Sequence, residues 1–383
     1  MIDPMAFLAA LDEADIRFAT GVPDSLLKDV CACITTNFPA QQHIVATHEG
    51  SAVGLAIGHF LATGRPALVY LQNSGLGNVI NPVASLADPL VYGIPMLFMI
   101  GWRGEMQSDG TQLHDEPQHA KQGRITVALL DVLGIHYRML DGNTEDIGLI
   151  IKEAAQLALE RSCPVALLVR KQTFSTFKFE DERNDQHLPS REEAIRLLID
   201  ALPENTPVVS TTGMASRELF EHREAAGRSH DHDFMTVGGM GHASQIAAGI
   251  ALMRPGRKVV CIDGDGALLM HMGGLAISGR QRNLIHIVIN NGAHDSVGGQ
   301  PTPALDLDLA RIAGDCGYGF VARAATEREI LDNLETAIKS DASAFLEIKC
   351  RRGARSNLGR PDRSPAMSKP DFMAFLKRTP GER

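Results

Sequence analysis

The sequence predicts an α/β protein of two doubly wound, parallel-sheet domains, and three observations carry that prediction. Short apolar runs alternate with helical stretches along the whole chain, most runs end in glycine or small polar residues, and one polar segment near the middle divides the pattern into two similar halves. Strands that alternate with helices lie side by side and parallel, with helices covering both faces of the sheet. The 383 residues exceed what one core usually serves and suit two domains of ordinary size.

In the first half IRFATGVP, HIVATHEG, PALVYLQNSG, PMLFMIGW and PVALLVRKQ each read as a strand running into a loop. Residues 179–193, FEDERNDQHLPSREE, are almost wholly charged or polar and contain the breaker Pro189. They predict a solvated linker between a first domain over residues 1–178 and a second over 194–383. The second half repeats the logic with PVVSTTG, DFMTVGGMG, KVVCIDGDG, LIHIVINNG and AFLEIKCRR. Ligands of open parallel sheets bind outside the carboxyl ends of the strands, so a site is expected on those loops. After Pro361, Pro365 and Pro370 the segment DFMAFLKR predicts a short apolar helix that packs on the body or on a partner.

Composition narrows the function. A net charge of -9 argues against a nucleic-acid backbone as the main partner. The opening MIDPMAFLAALDEADIRF lacks the basic region of a secretory signal, and no apolar run has the length of a membrane span, so a cytoplasmic protein without a membrane partner is expected. Cys31, Cys33, Cys163, Cys261, Cys316 and Cys350 lack zinc-site spacing and read as reduced thiols.

The most informative stretch is VVCIDGDGALLMHMGGLAISGRQRNLIHIVINNGAHD. Gly264 and Gly266 let the backbone approach a phosphate closely, and the following helix offers its N-terminal amides. Asp265 supplies a hard carboxylate oxygen and Asn291, returned beside it by the next strand, a hard amide oxygen. The pair suits an octahedral Mg²⁺ that bridges two phosphates. Either dipeptide alone reads as an ordinary turn; the strand–helix–strand between them is what favours a metal site. Neither a Walker A loop nor a dinucleotide GxGxxG fingerprint is present.

GDG and NN at this separation resemble the signature of thiamine-diphosphate enzymes. That resemblance implies thiamine diphosphate with Mg²⁺ as cofactors, the thiamine-diphosphate-binding fold with a pyrimidine domain first and a diphosphate domain second, and Mg²⁺ held by Asp265, Asn291 and the carbonyl of Ala293. It makes Glu49, in HEG, the acid that serves the aminopyrimidine, although an acid there is also an ordinary helix opening. It places SGLGN, with Ser74, Gly75 and Asn78, beside the pyrimidine, and it makes VGGMG the cofactor-binding segment in which the Gly238 carbonyl receives the pyrimidine amino group, Gly239 follows it and Met240 wedges the cofactor. The short linker leaves no space for the third, central domain of larger members. The resemblance further implies a homodimer or higher homo-oligomer with sites at the subunit interface.

GVPDSLLK, DEPQH, NNGAHDSVGGQPT and LGRP resemble the phosphonopyruvate decarboxylase family in particular, which implies a small 2-oxo acid substrate bearing a phosphonate; a sulfopyruvate decarboxylase is the alternative. From other classes, a non-catalytic cofactor-binding subunit and a nucleotide-binding oxidoreductase are disfavoured by Glu49 and by the missing dinucleotide fingerprint respectively. Asp24 is either a catalytic acid or a helix cap, and Ser25 stands where related decarboxylases carry the acid. His114, His119 and His294 are candidates for proton transfer, with a structural role as the alternative for each. Asp295 is a candidate for orienting substrate, and Arg351, Arg352, Arg355 and Arg360 are either the grip on the phosphonate or a solvated basic loop.

Overall fold

The apolar runs of the first half become parallel strands in the computed structural model, which describes residues 1–179 and 183–378. These are β1 (Ala19–Gly21), β2 (His43–Val45), β3 (Leu68–Gln72), β4 (Met96–Gly101), β5 (His136–Leu140) and β6 (Pro164–Val169), in the order β2-β1-β3-β4-β6-β5. The second half gives β7 (Val208–Ser210), β8 (Asp233–Met235), β9 (Val259–Gly264), β10 (Leu284–Asn290), β11 (Phe320–Ala324) and β12 (Ala344–Lys349), in the order β11-β12-β10-β9-β7-β8. Numbered within its own half, each sheet reads 2-1-3-4-6-5, so the two halves share one topology. The pairings are parallel in both sheets.

Two compact units result, Met1–Asp181 with Ser296–Gln300 and Glu182–Asp295 with Pro301–Arg383. Parallel strands with helices on both faces are buried on both sides, which is why β4 (MLFMIG) and β10 (LIHIVIN) are buried at every position. The strand order reverses between β1 and β3 and again between β7 and β9, and those switch points are where open α/β sheets bind ligands.

Local signals set the ends of the elements that matter here. The helix Glu49–Thr63 follows β2 directly, with His48 accepting the Gly50 amide as its cap and Gly64 closing it in the left-handed conformation. Ser190 and Glu193 form a capping box that starts the helix Arg191–Ala201. Of the predicted linker, residues 180–182 lie outside the described residues. Its remainder is pinned to the loop after β12, where Asp185 accepts from the Arg352 amide at 3.0 Å and Glu193 pairs with Arg351 at 3.3 Å. The terminal apolar segment is the helix Pro365–Lys377; it packs back on the second unit through Phe372 and Phe375, with the Arg257 guanidinium 4.0 Å over the Phe375 ring. All six cysteines are free, and only Cys316 is not buried. Among the described residues no helix is long and apolar enough to cross a membrane.

Candidate active site

In the second unit the register pairs Ile289 with Gly264, so the turn after β9 and the turn after β10 emerge side by side. Asp265 opens the next short helix and is only 3% exposed. Its Oδ2 accepts from the Thr302 hydroxyl, and among the described residues no Lys, Arg or His forms an ion pair with it. Burial pushes its carboxyl up to about 6. Asn291, the first residue after β10, is also buried; its Nδ2 donates to Asp295 Oδ2 at 2.7 Å and its Oδ1 accepts from the Ala293 amide at 3.1 Å. A buried carboxylate without a basic partner, next to an amide whose oxygen is fixed in orientation, is a donor set that fits a hard divalent cation.

The two glycines of the DGDG turn differ in what they admit. A Cβ on Gly264 would meet only Thr211 Cγ2 at 3.9 Å, so no neighbour in the fold requires glycine there and the space beside the turn is left for an outside group. A Cβ on Gly266 would lie 2.9 Å from His294 Cε1, so Gly266 makes room for an imidazole, a reason unrelated to phosphate. His294 is partly buried, and desolvation pushes its imidazole down to about 4, which leaves it neutral at pH 7. Behind the turn, Asp263 Oδ1 accepts from the Gly264 amide at 3.0 Å, Asp263 Oδ2 lies 3.3 Å from His286 Nε2, and His286 Nδ1 lies 3.0 Å from the Tyr318 hydroxyl. This fully buried chain anchors the turn from the core side. Gly238, Gly239 and Met240 form the loop after β8, with Gly239 at φ 66 and Met240 partly buried.

In the first unit Glu49 is buried in the first turn of its helix. Asn78 Nδ2 donates to Glu49 Oε2 at 2.7 Å, and a Cβ on Gly75 would lie 2.5 Å from Oε1. The missing side chain at Gly75 therefore admits the carboxylate, and Asn78 engages the other oxygen, Oε2. Ser74 is not part of this cluster; it is exposed and its hydroxyl accepts from Gln72.

Asp24 is 0% exposed. Its Oδ2 accepts from the Leu26 amide at 2.9 Å while Oδ1 has no partner, and a Cβ on Gly101 would fall 2.0 Å from Oδ2. The Leu26 contact is an Asx turn, not a helix cap, since the following helix starts at Lys28. Burial pushes the Asp24 carboxyl up to about 6, against an opposing pull from Arg103. The folded state keeps this proton up to about pH 6, whereas the unfolded chain releases it near 3.8, so stability falls as pH rises through that window. Asp24→Asn is accordingly expected to stabilise the protein at pH 8 by up to about 3 kcal/mol and to give no gain near pH 3.5. Urea unfolding at the two pH values checks this; an equal difference at both would contradict it.

Beside Asp24, Arg103 donates to Ser25 Oγ at 2.8 Å and to both Asp115 oxygens at 2.8 and 2.5 Å, and His119 Nδ1 sits 3.0 Å from Asp115. Burial alone would raise the Asp115 carboxyl, but the Arg103 and His119 hydrogen bonds overcome it and hold the group well below the usual range. His119 is thus a buried partner of Asp115, while His114 is exposed on the preceding loop.

The substrate residues expected in the second unit are placed differently from the expectation. Asp295 Oδ2 accepts from Asn291, from Arg191 Nη1 at 2.9 Å and from the Gly353 amide at 3.0 Å, so it is turned toward the fold. Arg351 pairs with Glu193, Arg352 with Asp185, and Arg355 with Glu192 and Glu221. Arg360 is exposed. Arg351, Arg352 and Arg355 therefore already have carboxylate partners. Sequence reasoning missed Arg103, Asp115, Thr302 and Arg191 as contributors. The signal for Arg103 is a charge placed directly after the wholly buried β4, and the signal for Arg191 is a cation in the first turn of a helix, where the dipole disfavours it.

Residues 5–127 match the model of the thiamine pyrophosphate enzyme N-terminal TPP binding domain, and residues 211–348 match that of the C-terminal TPP binding domain. The chain is 33% identical to a phosphonopyruvate decarboxylase of Streptomyces viridochromogenes over 99% of this chain and 96% of the relative. It is 31% identical to a phosphonopyruvate decarboxylase of Streptomyces hygroscopicus over 95% and 92% of the two chains. A sulfopyruvate decarboxylase of Methanosarcina acetivorans is 28% identical over 90% of each.

Proposed function

We propose, because the chain belongs to the thiamine pyrophosphate enzyme family, that it decarboxylates 3-phosphonopyruvate to phosphonoacetaldehyde and CO₂ in phosphonate biosynthesis, using thiamine diphosphate and Mg²⁺. The observation that carries the choice of substrate is the near full-length likeness to two phosphonopyruvate decarboxylases, at 33% and 31% identity. Sulfopyruvate is the second reading, favoured by the 28% likeness to a sulfopyruvate decarboxylase.

In this reading Asp265, Asn291 and the Ala293 carbonyl would hold Mg²⁺, and Gly264 leaves the space beside the turn that a diphosphate would take. Thiamine diphosphate supplies, when bound, the electron sink that lets a 2-oxo acid lose CO₂. Glu49 holds and moves the proton that the aminopyrimidine needs, through Oε1, because Asn78 engages Oε2. Gly238 and Gly239 bring backbone to the ring and Met240 supports the cofactor from its loop. Asp24, with its raised carboxyl, is the acid available beside Ser25, and His294, neutral at pH 7, accepts or donates a proton near the Gly266 turn. Arg103 meets the phosphonate: three of its N–H groups are engaged by Ser25 and Asp115, and a guanidinium has five.

The protein acts in the cytoplasm as a homodimer or higher homo-oligomer. The helix Glu49–Thr63 supports this, since it leaves Gly54, Leu55, Gly58 and Leu61 exposed, Leu61 by 71%. Aldehyde release measured on phosphonopyruvate, sulfopyruvate and pyruvate tests the function. The highest kcat/KM is expected on phosphonopyruvate, from protein that sediments at no less than twice the chain mass, and Arg103→Ala should raise KM for phosphonopyruvate more than for pyruvate. Equal or better turnover of sulfopyruvate would move the assignment to the second reading.

A further inference from the structure

An asparagine amide offers a metal ion an oxygen in one orientation and an NH₂ group in the other, and the two have nearly the same shape. Something must choose between them at Asn291. The immediate partner is Asp295, whose Oδ2 takes the Asn291 Nδ2 hydrogen at 2.7 Å and so leaves Oδ1 facing the other way. The Ala293 amide, which donates to Oδ1 at 3.1 Å, favours the same orientation, and the Asp295 carboxylate, only about a tenth exposed, needs a cation to remain charged.

That cation is Arg191, 7% exposed, whose Nη1 donates to Asp295 Oδ2 at 2.9 Å. Arg191 is in turn gripped by Glu218, 2% exposed, through two parallel bonds of 2.8 and 2.9 Å. Such a fork fixes the plane of the guanidinium as well as its position. Nothing in the helix Arg191–Ala201 calls for an arginine at its first residue, since a cation there opposes the helix dipole. The arrangement is explained by what it faces.

We propose that Arg191 and Glu218 are positioning residues for the Mg²⁺ site, holding Asp295 so that it orients the oxygen of Asn291 toward the ion. The inference rests on the reading of Asn291 as a metal ligand. Outer partners of this kind typically contribute 10–100-fold to metal affinity without touching the metal. The three groups together carry one net negative charge, which also favours a cation at that place.

The test uses the full-length protein, thiamine diphosphate and Mn²⁺ as the probe, with free Mn²⁺ read from its electron paramagnetic resonance signal. Replacing a buried ion pair by apolar residues of similar size often leaves a fold intact, so the main variant is the double change Arg191→Met with Glu218→Met. It is expected to stay folded, with a lowered melting temperature before cofactor is added because Asp295 loses its cation, while its Mn²⁺ Kd rises about 10–100-fold. If that variant does not fold, Glu218→Gln, which keeps the shape of the pair, is measured in the same way and should weaken Mn²⁺ binding severalfold. A folded variant that binds Mn²⁺ within twofold of the wild type overturns the proposal. Failure of the wild type itself to bind Mn²⁺ with thiamine diphosphate removes the reading of Asn291 as a ligand, and the two failures are thereby distinguished.

Discussion

Glu49→Gln is expected to lower kcat for decarboxylation at least about 100-fold while leaving thiamine diphosphate affinity within a few-fold of the wild type. The geometry gives the reason. Glu49 is fixed by the start of its helix, by the Asn78 amide on Oε2 and by the close approach of Gly75 to Oε1. Gln fills the same space, and its carbonyl still accepts from Asn78, so the local packing survives. What it cannot do is release and regain a proton at the second atom of the head group. A fall in kcat at unchanged binding isolates that loss, since an interaction used equally in the ground state would appear in binding instead. Single-turnover aldehyde formation together with calorimetric titration of the cofactor checks the pair of expectations. Activity within tenfold of the wild type would remove Glu49 from the mechanism.

Asp265→Ala is expected to weaken Mg²⁺-dependent cofactor binding by more than the 10–100-fold typical of an outer partner, because in the proposed site it would remove a metal ligand itself. The fold should survive this change. Asp265 contributes one hydrogen bond with Thr302 and no ion pair among the described residues, and its buried carboxylate is a cost to the protein when no cation neutralises it. Circular dichroism of the wild-type kind, combined with lost cofactor binding, is the expected result. Retained Mg²⁺-dependent binding in a folded variant would contradict the assignment of Asp265.

Much of this architecture is legible in the sequence, and where it is not the reasons are physical. Ten of the twelve strands are visible as apolar runs, and the two that are not, β5 and β11, occupy the same outer position in their sheets. An edge strand has one hydrogen-bonding side free and needs little apolar character; HYRML and FVARA each bury only their last residue. DGDG and NNG are legible because glycine, carboxylate and amide at fixed spacing have few other uses in combination. The arginines are harder. A cluster in sequence, Arg351 to Arg360, gives the impression of an anion grip, yet the fold brings Asp185, Glu192, Glu193 and Glu221 against it from distant positions. The surroundings of Asp295 are hidden for the same reason, since its partner Arg191 lies 104 residues away. Arg103 shows the converse case: alone in sequence, it is joined by Ser25, Asp115 and Asp24 only when β1 and β4 reach the same end of their sheet.

In the proposed reaction this chain decarboxylates a 2-oxo acid only with a cofactor anchored by Mg²⁺ at Asp265 and Asn291. The most direct measurement is aldehyde release from phosphonopyruvate by protein stripped of metal with a chelator, then given Mg²⁺ alone, thiamine diphosphate alone, or both. Aldehyde and CO₂ formed in equal amounts only when both are present is the predicted result. Decarboxylation at full rate with either one missing, or none with both, would contradict it.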